Sequence, residues 1–512
     1  MRSICLHFQI HQPFRLRTYR FFDIGSSHHY YDEYQNRTIV KRVVERSYLP
    51  MNRILLDLIK EYGAAFKVSF SISGMAIDQF KQYTPEVINS FKELADTGNV
   101  EFLAETYAHS LVSLKDPDEF RRQVEKHADT VEELFGKRPT AFRNTEMIYS
   151  DQIGEKVLEM GFDIMLTEGA KHILGWKSPN FMYCNTVNPK LKLLLRNFQL
   201  SDDIGFRFSN QAWIEWPLTA EKFAKWINTY QNQQVVNIFI DYETFGEHQW
   251  AETGIFNFMK ALPQQIFSRT NFNFRTPTEL ARTLQPVSAV SVPTPISWAD
   301  EERDLTAWLG NEMQDEAFDL LYSLRDKVRR CNDAEIQRDW LYLQTSDHFY
   351  YMCTKWFSDG AVHKYFNPYV TPYEAFINYM NVLSDFTIRL EEHCSNENEL
   401  FASSATEQQS VQGQGITSQG EIERKEPDFD VIFSLSKKDL KKAIDSVDIK
   451  ELAYSLYGKA DDKISELMAK LPVAYKSELD KIIREIKKPR RTTIDNYRKK
   501  VASKLQSYFN LF

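Results

Sequence analysis

Cysteine is scarce and scattered. Cys5, Cys184, Cys331, Cys353 and Cys394 are the five in the chain, and none stands at C-x-x-C spacing. This argues against a disulfide scaffold and a thiolate zinc site and fits a reducing compartment. No apolar run approaches the roughly 18 residues of a membrane span. The apolar residues after Arg2 are soon interrupted by His7, Gln9 and His11, with no small-residue cleavage site, so no signal peptide is read and a cytoplasmic protein is expected. A strong excess of one charge is lacking as well. A net −8 on 512 residues gives no reason to expect nucleic acid as a partner. Metal-binding patterns are missing too: His28-His29 is not accompanied by H-E-x-x-H or similar spacing, so neither metal nor cofactor is expected.

What is abundant is aromatic: 9 Trp, 25 Tyr and 36 Phe make up 14% of the chain. These can fill a large core and can furnish stacking platforms for flat ligands such as sugar rings. At this length two or three domains are expected. Up to about residue 285, short apolar strands alternate with helical patterns, the sign of βα units and a parallel sheet. Strands are predicted at 3–8, 66–72, 100–104, 140–143, 162–166, 191–196 and 235–240. The last, VVNIFI, is apolar on both faces, as a buried parallel strand should be. Seven strands give a barrel-like α/β domain, incompletely closed, over 1–285.

Periodic helical stretches such as DEAFDLLYSLRDKV then predict a helical subdomain over 286–395. Residues 396–427 are rich in Ser, Gln and Gly and are expected to be a disordered linker. Residues 428–512 read as a small helical domain. Its 19 Lys and Arg against 13 Asp and Glu, a net +6, suit a solvated basic face or the docking of an acidic protein partner.

In barrels of parallel strands, reactive side chains sit where strands end and loops begin. The first strand runs into His11-Gln12-Pro13-Phe14, and the third through Glu101 towards Glu105, Tyr107 and His109. The fourth runs into Asn144-Thr145-Glu146, and VVNIFI into Asp241-Tyr242-Glu243-Thr244. Loop polarity and helix capping would put some acids there in any protein. Four such strand ends from distant parts of the chain point instead to a carboxylate site. Two carboxylates across a scissile bond are what glycoside hydrolysis needs, one of them holding its proton near neutral pH. If the strand continues, Asp241 and Glu243 point the same way, and repulsion between them would keep Asp241 protonated. Spacing alone does not assign the two roles.

Five stretches resemble glycoside hydrolase family 57 in the family's order. They are HQPF at 11–14, GNVEFL at 98–103, NTEMIY at 144–149, DYETFGEHQ at 241–249 and QTSDHFYYM at 344–352. The resemblance implies a (β/α)7 TIM-like barrel and a retaining mechanism. It places the nucleophile at Glu146 and the general acid/base at Asp241, with Glu243 two residues on. It implies that His11, Glu101 and Asp347 hold the sugar at the cleavage point, so that the helical part closes one side of the site. His248 and Trp250 are further substrate-binding candidates, beside Trp213, Trp216 and His348. The fourth and fifth stretches resemble the α-amylase branch more than the transferases, and Asn144 stands where the transferases usually carry Trp.

The activity so implied is α-amylase action on α-1,4-glucan or maltooligosaccharide. The alternatives are a 4-α-glucanotransferase or branching enzyme and, in another class, a glycan-binding protein without activity. Polysaccharide deacetylases have a similar barrel but need an Asp and two His on a metal, and no H-x-x-x-H follows a strand here. The segment LAYSLYGKADDKISELMAKLP with KKPRRTTIDNYRKKVASKL is similar to the C-terminal domain of flagellar motor switch proteins.

Overall fold

The computed structural model describes residues 2–355 and 367–407, and scattered positions between 429 and 502. Two compact units emerge, Met1–Glu407 and Gln408–Phe512. Of the expected linker, 408–427 lies outside the described residues, while the helix Pro372–Glu407 continues through its first part. In the second unit, the described helices include Ile449–Leu456 and Asp461–Lys470, with Leu452, Leu456 and Leu467 in a small apolar cluster. Among the described residues no helix is long and apolar enough to cross a membrane.

The described residues of the first unit form ten strands: β1 (Arg2–Ile10), β2 (Val68–Ile72), β3 (Val100–Phe102), β4 (Ala141–Arg143), β5 (Ile164–Glu168), β6 (Tyr183–Asn185), β7 (Lys192–Arg196), β8 (Val235–Asp241), β9 (Phe272–Phe274) and β10 (Ser288–Val290). Seven fall where the apolar runs predicted them. Three short ones, β6, β9 and β10, were too brief to stand out. One sheet runs β3-β2-β1-β8 with β9 on β1, the other β10-β6-β7-β5-β4. Only β6–β7 is antiparallel. The bridge Ala104↔Phe142 joins β3 to β4. Between β7 and β8 the Asn197 N–H donates to the Asn237 carbonyl (2.9 Å), and Asn237 Nδ2 donates to the Leu195 carbonyl (2.8 Å). The result is an incompletely closed seven-stranded TIM-like barrel. Its sheet takes in β10, a few residues beyond the expected limit at 285.

Alternation along each strand decides what fills the barrel. Ile4, Leu6, Phe8 and Ile10 of β1 and Val236, Ile238 and Ile240 of β8 join one apolar cluster with the covering helices, such as Leu49–Tyr62 and Ile255–Arg269. Residues of the other parity form a second cluster, drawn from Cys5, Ala141, Ile164, Leu166, Leu194, Val235 and Phe239 and closed below by Leu280. This is the barrel floor. Further along the same inward rows stand polar side chains: His7, Gln9, Arg143, Glu168, Arg196 and Asp241. An apolar floor beneath a charged mouth is therefore written into one parity of the strands.

The helices after β10, Glu312–Ser323, Arg325–Arg330, Ala334–Leu343, Ser346–Tyr350 and Pro372–Glu407, share a core with the outer faces of β4, β5 and β7. Phe8 is fully buried among the rings of Phe70, Tyr242 and Phe245, at centroid distances of 5.0–5.6 Å. Phe8→Ala should cost about 3–5 kcal/mol, read from the urea midpoint of the barrel. A loss below about 1 kcal/mol would mean that the neighbouring rings close over the gap.

Candidate active site

A cleft of about 720 Å³ opens at the C-terminal ends of the strands, with His11, His109, Glu146, Asp241, Glu243 and Asp347 among its lining. Asp241 ends β8, paired in register with Gln9 of β1. Its parity is that of Phe239 and Asn237, which is why it faces inward. A 3-10 turn, Tyr242–Thr244, follows at once. It sends Tyr242 and Phe245 into the core and leaves Glu243, Thr244 and His248 on the cleft. Gly246 has φ +104°, and a Cβ there would lie 2.1 Å from the Arg46 carbonyl oxygen, so this turn admits only glycine.

Glu146 sits in a tight turn after β4, at φ 54°, ψ 24°. Asn144 holds that turn by donating from Nδ2 to the Ile148 carbonyl, and Thr145 bonds Thr106 between hydroxyls at 2.6 Å. The Glu146 carboxylate meets three donors. Trp298 Nε1 lies 2.7 Å from Oε2, Ser346 Oγ 3.1 Å from Oε1, and His109 Nε2 3.3 Å from Oε1. His109 turns its other nitrogen to the buried Glu105, 3.0 Å away. Burial works against a charged imidazole, but its two carboxylates prevail and push the His109 pKa up to about 9. Burial likewise opposes ionisation of Glu146. Its hydrogen bond with His109, that imidazolium's charge and Arg143 outweigh burial and hold the carboxyl below the usual range.

Asp241 behaves in the opposite way. Burial and the nearby Glu146 charge raise its pKa to about 6, against the pull of Arg143 and Arg196. The expected repulsion between Asp241 and Glu243 falls on Glu243 instead. Burial, then Asp241, push Glu243 up to about 8. Glu243 is bonded by the Tyr48 hydroxyl and by Gln12 Nε2 at 3.2 Å. Asp347 bonds His11 at 2.9 Å and Thr345 at 3.0 Å. Burial resists its ionisation, but His11, His109 and Arg15 hold it well below the usual carboxylate range. The His11 and His109 rings stack at 4.0 Å. His248 lines the cleft, and burial lowers its pKa to about 4.

Five expected site residues are elsewhere. Glu101 has the inward parity of β3 but lies one layer below Leu103, which belongs to the apolar floor. It accepts from the Thr278 N–H at 3.0 Å and from the Thr278 hydroxyl, capping the helix Pro277–Thr283 beneath the barrel. A carboxylate belongs at such a helix start. Glu105, four residues on, is the glutamate of this segment that reaches the site. Trp250 is 59% exposed and does not line the cleft, because the chain leaves the cleft after His248. Trp213 packs on Trp226, Trp216 is half-exposed and does not line the cleft, and His348 is buried against Tyr379. His28 is tied to Asp385 at 2.8 Å. Among the described residues no group of three His, Cys, Asp or Glu side chains is arranged to hold a metal ion.

Other residues had not been marked out. Arg143 and Arg196 end β4 and β7 with inward parity, a signal that was present in the sequence. Arg196 pairs with Glu168 at 3.2 Å and Asp202 at 2.5 Å. Ser346 lies inside the QTSDHFYYM stretch. Trp298 had no signal, since it follows no strand and belongs to no matched stretch.

Residues 5–293 match the family model described as Glycosyl hydrolase family 57. The chain is similar to a putative alpha-amylase of Methanocaldococcus jannaschii, 41% identical over 405 residues, covering 76% of this chain and 85% of that protein. In fold it is similar to a family 57 branching enzyme of Thermococcus kodakaraensis, with a TM-score of 0.53 at 14% identity, covering 71% of this chain and 87% of the other. It is also similar to a 4-alpha-glucanotransferase of Thermococcus litoralis, with a TM-score of 0.51 at 16% identity. That match covers 68% of this chain and 56% of the transferase.

The two carboxyls make a direct prediction. Glu146→Gln removes a negative charge that helps to raise Asp241, so Asp241 should titrate below about 6. Carboxyl infrared difference spectra across the pH range measure this. An unmoved midpoint would mean that the two groups do not sense each other.

Proposed function

Because the chain belongs to glycosyl hydrolase family 57, we propose that it cleaves α-1,4-linked glucan by double displacement, as an α-amylase. Glu146 is the nucleophile and Asp241 the general acid/base. One observation carries this assignment: two carboxyls line one cleft, one held ionised and the other raised to about 6. A nucleophile and a proton donor need that divergence. Asp241 gives its proton to the glycosidic oxygen as the C1–O bond breaks and a Glu146 oxygen bonds to C1. Water then takes the place of the leaving sugar, Asp241 removes its proton, and the C1–Glu146 bond breaks with retention. His11 and Asp347, bonded to each other, with Glu243 and His248, are proposed to bind the sugar hydroxyls. The free thiols of Cys5, Cys184, Cys331 and Cys353 support a cytoplasmic location. The net +6 of 428–512 supports an acidic protein as a further partner.

Incubation with maltoheptaose, resolving products by length, tests the reading. Shorter sugars alone are expected. A ladder of both shorter and longer products would make it a transferase acting through the same two residues. Binding without cleavage would leave a glycan-binding protein. Asp241→Asn should lower turnover about 10²–10⁴-fold. The acid must be protonated to act, so kcat/KM should fall as pH rises through about 6. Activity still level above pH ~8 would remove Asp241 from that role.

A further inference from the structure

The two oxygens of Glu146 are not equivalent. A carboxylate oxygen has two in-plane acceptor positions. Oε1 meets two donors, Ser346 Oγ at 3.1 Å and His109 Nε2 at 3.3 Å. At Oε2 Trp298 Nε1 donates, at 2.7 Å. Among the described residues this is the one donor to Oε2, which keeps acceptor capacity for an incoming carbon. Trp298 itself is firmly held. Its backbone N–H donates to the Glu146 carbonyl at 3.1 Å, and its own carbonyl accepts from Arg303. Its ring lies near the guanidinium groups of Arg143 and Arg196, at 4.8 and 5.6 Å. The indole is therefore fixed with its N–H edge towards the carboxylate.

We propose that Glu146 attacks through Oε2 and that the Trp298 N–H is the donor that receives the charge returning to that oxygen when the glycosyl-enzyme is hydrolysed. The proposal rests on the reading that Glu146 is the nucleophile. In the first half-reaction Oε2 gives an electron pair to C1, and the C1–leaving-oxygen bond breaks with the proton of Asp241. Negative charge leaves Oε2, so the Trp298 hydrogen bond does nothing to speed this half. Oε1 becomes the ester carbonyl, still bonded by His109 and Ser346. In the second half Asp241 takes a proton from water, the water oxygen bonds to C1, and the C1–Oε2 electron pair returns to Oε2. Charge now grows where Trp298 already points, and a preplaced donor at a developing anion speeds a step.

Trp298→Phe keeps an aromatic ring and removes the N–H. Loss of one donor to a charged oxygen should slow the second half about tenfold or more. On an aryl α-maltooligosaccharide, kcat and KM should fall together while kcat/KM holds within about threefold. Rapid mixing should show a stoichiometric burst of the phenol. Loss of a merely structural residue would instead lower kcat/KM with no burst, and that result overturns the proposal. Should the phenylalanine variant fail to fold, replacing Trp298 by its sulfur isostere, benzothienylalanine, keeps the bicyclic ring without the N–H and must give the same kinetic pattern. A separate arm tests the reading beneath. Glu146→Ala with azide should yield a β-glycosyl azide. If it does not, Glu146 is not the nucleophile, and the proposal falls with it. If it does and Trp298→Phe shows no burst, only the role of Trp298 falls.

Discussion

Burial alone would neutralise every carboxyl in this cleft, because a charge withdrawn from water must be paired or lose its ionisation. The proposed chemistry depends on Glu146 escaping that rule while Asp241 obeys it. His109 is the reason. It lies between Glu105 and Glu146, and an imidazole facing two carboxylates keeps its proton. The alternation of Glu105, His109 and Glu146 carries one positive charge for two negative ones, and Arg143 adds a second positive charge from below. Among the described residues Asp241 has no such partner at hydrogen-bond distance. The difference between two like groups a short way apart thus comes from which of them the imidazolium touches.

Holding that arrangement requires unusual backbone. Outside glycine, positive φ occurs among the described residues at His109, Glu146, Met147, Asp300 and Arg303. Four of these five line the cleft. Each left-handed residue without glycine costs on the order of 1–3 kcal/mol, and such strain persists only where surrounding contacts over-determine it. The contacts are present: Asn144 and Thr145 hold the Glu146 turn, the His109 carbonyl accepts from the Ser346 N–H at 2.9 Å, and Arg303 reaches Trp298. Strain and hydrogen bonding coincide at the residues that must point into the cleft against their local preference.

This explains which parts were legible in the sequence. The seven main barrel strands were, because buried parallel strands are nearly continuous apolar runs. The places of Asp241 and Glu146 at the cleft were, because they follow such runs directly. Parity would also have supplied Arg143 and Arg196, the polar ends of inward rows. Glu101 was misplaced because the matching stretch gave its residue type and strand but not its height in the barrel. One layer of strand separates a helix cap under the floor from the apolar layer, and a second separates that layer from Glu105 at the mouth. Trp250 lies off the cleft because the chain turns outward after His248. Trp298 could not be read at all, since its position depends on a segment folding back from outside the barrel.

That return of the chain is the last requirement. The barrel by itself gives Glu146 a single partner, His109. The other two donors, Trp298 and Ser346, and the acid Asp347 that orients His11 all come from residues beyond 290. The join is backbone as well as side chain: Tyr149 pairs with Ile296 and Ser110 with Thr345 as isolated bridges, each within a few residues of the groups it positions. The helical part is therefore no mere cover. Without it Oε2 would have no donor, His11 would lose its carboxylate, and the positive φ of His109 would lose the contact that holds it. A site assembled this way cannot be completed until the segment beyond residue 290 has docked, so the order needed for catalysis is set by the packing of that segment onto the barrel.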